Sequence, residues 1–145
     1  MSEIDKFIGD QLSVWPLAAT NFRAVKAAEY RYFDIGGLRV SVQFNPCRIA
    51  SSTAEVDTES IAARKCFLCT EYRPKEQFHI LYEGKKGRTY RVQVNPYPVT
   101  RNHLVVVRNV HMPQTIWHHL PDMLLFSRMY PDFTVFYNGP CSGAS

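Results

Sequence analysis

The pair Cys66-Phe67-Leu68-Cys69 constrains this chain more than any other stretch. Two thiols two residues apart are brought to one point by the short turn between them, so they can grip one side of a tetrahedral metal ion. A complete site needs further ligands, and only single histidines or an adjacent pair follow. Downstream lie a hairpin pattern, an apolar strand and then His111, an order that suits a zinc knuckle at the mouth of a small antiparallel sheet. The same spacing also suits two free thiols packed in a core without metal. A thiol redox pair is disfavoured, because the flanking residues are Phe67 and Leu68 and no thioredoxin-like βαβ pattern surrounds them.

The chain around the pair has 145 residues, enough for one domain with its own core. Hydrophobic residues make up 46% and aromatics 13%, which argues against disorder over most of the length. A net charge of +4 suits phosphate-bearing ligands and is too small to argue for nucleic acid. No apolar run approaches the roughly 20 residues of a membrane span. The polar start Met1-Ser2-Glu3-Ile4-Asp5 is unlike a secretory signal. Four cysteines, two of them a tight pair, fit a reducing compartment, and the expected location is cytoplasmic.

Three segments follow from the patterning: residues 1–49, a connector over 50–65, and a core over 66–145. Ser2 and Asp5 form a capping-box-like start, and Ile4, Phe7, Ile8 and Leu12 recur at helical spacing over 3–14. Pro16 ends that helix. Residues 17–28 read as a short helix or turn. Over 30–45, Tyr30, Tyr32, Phe33 and Ile35 lead through Gly36-Gly37 into the alternating Leu38, Val40, Val42 and Phe44. That is a hairpin with one buried face. Arg48, just past the strand end, is placed to hold a phosphate or to be solvated. In the polar connector, Asp57 can cap a short helix. Phe78, Ile80 and Tyr82 alternate into Gly84-Lys85-Lys86-Gly87, and Tyr90, Val92 and Val94 alternate out, giving a second hairpin over 77–95. Residues 103–107 and 133–137 read as further strands. Residues 113–130 read as helix, with Pro121 separating a first turn from the body. The expected fold is α+β, with all four strand regions in one mainly antiparallel sheet.

At this point the residues reach a family. Cys-x-x-Cys, the hairpin ending in Asn95-Pro96-Tyr97-Pro98, His103-Leu104-Val105-Val106-Val107 with His111, and the Asn138-Gly139…Ser142-Gly143-Ala144-Ser145 loop occur in an order that resembles the histidine-triad (HIT-like) superfamily. The closest branch is that of galactose-1-phosphate uridylyltransferase, dinucleoside tetraphosphate phosphorylase and GDP-galactose phosphorylase. Gln43-Phe44-Asn45-Pro46-Cys47-Arg48 is similar to the segment preceding that core. The resemblance implies a HIT-like antiparallel sheet with flanking helices. It implies zinc, with Cys66, Cys69 and His111 as three of four ligands. It also implies a nucleotide or sugar-nucleotide site: Asn95 at the ribose, Phe78, Ile80 and Val94 about the base, and Arg48 with the Gly139, Ser142, Gly143 and Ser145 loop at the phosphates.

The family's chemistry rests on a His-x-His-x-Gln motif after that loop, whose central histidine attacks the α-phosphate and carries the nucleotidyl group covalently. None of the five histidines here forms a His-x-His. The expectation is therefore the N-terminal part of a nucleotidyltransferase or phosphorylase acting on a sugar nucleotide or dinucleoside polyphosphate, incomplete at its C-terminus. No catalytic residue is assigned in this chain, and it is expected to be inactive alone. The alternative is a non-catalytic zinc-knuckle domain that binds a nucleotide or a protein. A shortened core would leave the 133–137 strand at a sheet edge, open to a homodimer.

Overall fold

Ser2 fixes where the first helix starts. Its hydroxyl accepts the Asp5 N–H at 3.1 Å, and the Asp5 carboxylate accepts the Ser2 N–H at 3.0 Å. This reciprocal cap satisfies two donors that a helix start leaves unpaired. The computed structural model of the chain describes residues 2–48 and 65–139. Helix α1 (Glu3–Val14) ends before Trp15, and Pro16 opens helix α2 (Pro16–Lys26). A proline lacks the N–H needed inside a helix but has the right φ for a first turn, so Pro16 both stops α1 and begins α2. The segment expected as a short helix or turn is thus a full helix.

Two antiparallel sheets follow, making the chain α+β. The first is the hairpin of β1 (Glu29–Ile35) and β2 (Leu38–Phe44), closed by Gly36 and Gly37 at φ 59° and 81°. Both glycines take the left-handed backbone that a tight two-residue hairpin demands. The second is three-stranded, in the order β3-β4-β5: β3 (Ile80–Glu83), β4 (Thr89–Val94) and β5 (Leu104–Arg108). Strand β4 is central and its side chains alternate between two covered faces. Tyr90, Val92 and Val94 meet the helices. Val94 packs with Ile4 and Ile8 of α1 and with Trp15, Ala18 and Phe22. Tyr90 and Val92 pack with Phe126 of helix α3 (Leu120–Met129). Arg91 and Gln93, on the other face, are also buried.

Polar ties hold the helices to this sheet. The buried Gln11 donates to the Glu76 carbonyl at 2.7 Å and accepts the Phe78 N–H at 2.5 Å. Asp122 of α3 is also buried, and it accepts from the Lys85 N–H, Arg88 Nε and Tyr90 Oη at 2.6, 2.6 and 2.7 Å. A Cβ at Gly84 would lie 2.6 Å from the Tyr90 ring and 2.8 Å from the Asp122 carboxylate, so only glycine admits this approach. Tyr82 and Tyr130 hydrogen-bond through their hydroxyls, joining β3 to the end of α3.

Several expectations are corrected. The first hairpin does not join the main sheet; it is a separate two-stranded sheet. The face expected to be buried is exposed along the whole hairpin, because no element among the described residues packs on it. Residues 133–137 form no strand. No strand among the described residues pairs with them, and their side chains serve packing instead: Phe133 and Val135 lie against the two core clusters, and the Phe136 ring lies 5.9 Å from that of His103. The edge argument built on that strand therefore falls. In 113–130 the helix proper is Leu120–Met129, preceded by a turn in which His119 and Leu120 N–H groups bond the Ile116 carbonyl at 2.9 Å. The Asp57 cap lies outside the described residues. Among the described residues no helix is long and apolar enough to cross a membrane.

The Asp122 bolt generates a prediction. Burial alone would raise its pKa, but the Arg88 and Tyr90 side chains and the Lys85 N–H favour the carboxylate, and the net pKa is lowered. A carboxylate with a lowered folded pKa adds stability above its unfolded pKa of about 4, and that stability is lost as pH falls through the folded value. Asp122→Ala is therefore expected to cost about 3 kcal/mol at neutral pH, the scale for breaking a buried charge pair. The gap from wild type should narrow below about pH 4. Denaturant unfolding at several pH values measures both.

Candidate functional site

The cysteine pair lies in a tight turn. The Cys69 N–H bonds the Cys66 carbonyl at 3.0 Å, and the Cys69 carbonyl then accepts from the Tyr72 and Arg73 N–H groups at 3.1 and 3.0 Å. His111 arrives from a different direction, three residues beyond β5. Its Nδ1 lies 3.0 Å from Cys69 Sγ. One ligand atom from each of Cys66, Cys69 and His111 falls within 4.8 Å of the others. Bonds of about 2.3 Å to sulfur and 2.0–2.1 Å to nitrogen put tetrahedral neighbours about 3.6 Å apart. The three residues are thus close enough to hold a metal ion. Burial pushes the Cys69 thiol pKa up, and the neighbouring Cys66 adds to it.

What aims the turn is Arg91. Its side chain crosses from β4 to the knuckle, donating from Nη2 to the Leu68 carbonyl at 2.7 Å and from Nη1 to Thr70 Oγ1 at 2.8 Å. Leu68 and Thr70 flank Cys69, so the guanidinium holds the backbone carbonyl on one side of it and a side-chain hydroxyl on the other. Arg91 is only 3% exposed. Its fork holds two fixed acceptors at once, which a lysine cannot reproduce. Nearby, Arg73 Nη1 lies 2.7 Å from His79 Nδ1, and burial with the charges of Arg73 and Arg91 lowers the His79 pKa. His79 therefore accepts from Arg73 as a neutral ring.

Of the expected nucleotide residues, Asn95 and Arg48 lie at the opposite end of the β4–β5 ladder. Asn95 follows β4 directly; its Oδ1 accepts the Tyr97 N–H at 2.9 Å and its Nδ2 lies 3.5 Å from the His103 ring nitrogens. His103 Nδ1 accepts the Val99 N–H at 3.1 Å. Burial lowers the His103 pKa, and the positive charge of Arg48 lowers it further. Arg48 shares a shallow pocket with Asn21, Asn45, Cys47 and Tyr97, and Asn21 holds that loop through a 2.8 Å bond to the Pro96 carbonyl. Arg48, Asn95 and His103 thus share one region. Phe78 is exposed, and Ile80 is half-buried against the helical core. Val94, expected at the base, is fully buried among the α1 and α2 side chains and offers no surface. Gly139 lies three residues past Phe136; Ser142, Gly143 and Ser145 lie outside the described residues.

Sequence reading used His103 only to mark a strand and passed over Arg91. The alternation of Tyr90, Val92 and Val94 makes Arg91 look like a wet-face residue. Only the knuckle, folded onto that second face, buries it.

The fold and cluster define an α+β chain with a Cys2His ligand set against a three-stranded antiparallel sheet. Residues 7–145 match the family described as Domain of unknown function (DUF4922), and the chain belongs to that family. No curated protein and no solved structure matches it.

If Arg91 aims the ligands, Arg91→Met should weaken metal affinity by about 10- to 100-fold, the usual effect of losing a residue that orients a ligand. Competition with a chromophoric chelator measures this. Arg91→Lys should recover only part of the loss.

Proposed function

We propose that this chain is the N-terminal part of a HIT-like nucleotidyltransferase or phosphorylase, and that its own residues hold zinc and bind the nucleotide. The convergence of Cys66, Cys69 and His111 carries the reading. Two soft sulfur ligands and an imidazole close enough to share one ion favour zinc over hard cations such as magnesium or calcium. Zinc would neutralise the two thiolates and tie the knuckle to the segment after β5. Binding would displace the proton of the Cys69 thiol, whose pKa burial raises.

The nucleotide contacts are assigned to Arg48, Asn95 and, from the sequence resemblance, residues 139–145. Arg48 would pair with a phosphate through its planar fork, and Asn95 would meet the ribose. Phe78 and Ile80 have surface for the base. A neutral His103 beside Asn95, with Nδ1 already accepting from Val99, is left to donate from Nε2. Covalent transfer requires a histidine within reach of the α-phosphate, and no His-x-His occurs among these 145 residues. The chain alone is therefore proposed to bind without transferring. The same gap favours a second reading, a non-catalytic zinc-knuckle domain that binds a nucleotide or a protein.

The chain should purify with one zinc per molecule, measured by plasma emission, and Cys69→Ser should lose it. Calorimetric titration with GMP, UMP and AMP should show binding that Arg48→Ala weakens about tenfold or more. Nucleotide binding without zinc would remove the knuckle from the account. Zinc without binding of any of the three nucleotides would favour a protein-binding module.

A further inference from the structure

The β1–β2 hairpin has two chemically distinct faces. On one lie Tyr30, Tyr32, Asp34, Arg39, Ser41 and Gln43, where Gln43 Nε2 donates to Tyr30 Oη at 2.6 Å and the Arg39 guanidinium lies 5.1 Å from the centre of the Tyr32 ring. That face is complete in water. On the other, the register places Phe33 opposite Val40, Ile35 opposite Leu38, and Val42 and Phe44 beside them. All six are exposed, from 38% at Val40 to 71% at Leu38.

We infer that this apolar face is the docking surface for the same face of a second copy of the chain. Six such side chains present about 600 Å² of apolar surface, at the upper limit of about 300–600 Å² for the largest patch on a typical monomer. Two faces pressed together would bury about 1,200 Å² in all, the size at which specific interfaces begin. Only two charges share the face, Glu29 and Arg31, and they cancel, so a self-pairing meets no net repulsion. A two-stranded hairpin is marginal in water alone, whereas two stacked hairpins form a four-stranded sandwich with a dry centre. A two-fold axis through the patch brings each apolar row onto its equivalent, which makes the contact self-complementary. This inference is independent of the metal and nucleotide reading.

Sedimentation velocity of the 145-residue chain across a wide concentration range tests it. A monomer–dimer equilibrium is expected. Leu38→Glu and Val42→Glu should each weaken dimerisation by about tenfold or more, because each buries an unpaired charge. Ser41→Glu, on the wet face, should leave it unchanged. Circular dichroism checks that each variant is folded, as expected for side chains exposed in one protomer. Hydrogen exchange of the β1 and β2 amides should slow as concentration rises. A monomer at all concentrations overturns the inference, whether the amides are protected by another part of the same chain or unprotected and open to a different protein. A dimer indifferent to Leu38→Glu and Val42→Glu also overturns it, since the contact then lies elsewhere.

Discussion

The guanidinium of Arg91 is the interaction on which the second half of the structure depends. A charge at 3% exposure in the central strand would be costly if it were not met by strong acceptors. The Leu68 carbonyl and Thr70 hydroxyl meet it, and both belong to the turn that carries Cys69. The contacts that satisfy Arg91 Nη1 and Nη2 therefore also hold the cysteine turn, while its buried Nε has no hydrogen-bond partner among the described residues. Gln77 adds a further tie to this strand, donating from Nε2 to the Val94 carbonyl at 3.1 Å. Strand β4 is covered on both sides, by apolar contacts from the helices on one and by a polar scaffold on the other.

That arrangement separates two side-chain clusters along a short sheet. Cys66, Cys69 and His111 meet past the end of β5, close enough to hold a metal ion. Asn95 and His103 lie at the other end of the same two strands, beside the Arg48 pocket. The β4–β5 ladder lies between them. Helix α3 is bolted to it by Asp122, and Tyr90 is held between that carboxylate and His119, with its pKa pushed up to about 12 mainly by burial and by its bond to Asp122. A phenol so placed acts as a structural donor and not as an acid at neutral pH.

Features set by neighbouring residues were legible in the sequence. Ser2 with Asp5 announced the α1 cap, Gly36-Gly37 announced a tight hairpin, and Cys66 with Cys69 announced a shared ligand point. Features set by distant partners were not. The alternation in 38–44 correctly gave an amphipathic strand, but alternation cannot say what covers the apolar side. Phe133 to Tyr137 has strand-like residues, yet a strand exists only where a partner ladder is available, and among the described residues none is. Val94 sits beside Asn95 in the chain, but the pleat turns it into the helical core. Asp122 and Arg91 became visible only when burial and partners were known, because a charged residue in the sequence reads first as a solvated one.

The central claim is that Cys66, Cys69 and His111 bind one zinc ion in the orientation that Arg91 imposes. X-ray absorption at the zinc edge of the purified chain tests it most directly. The account predicts two sulfur neighbours at about 2.3 Å, with the remaining shell made of nitrogen or oxygen at about 2.0–2.1 Å and imidazole scattering from His111. His111→Ala should remove the imidazole signal while the two sulfurs remain. A shell with no sulfur, or an imidazole signal unchanged in His111→Ala, would contradict it.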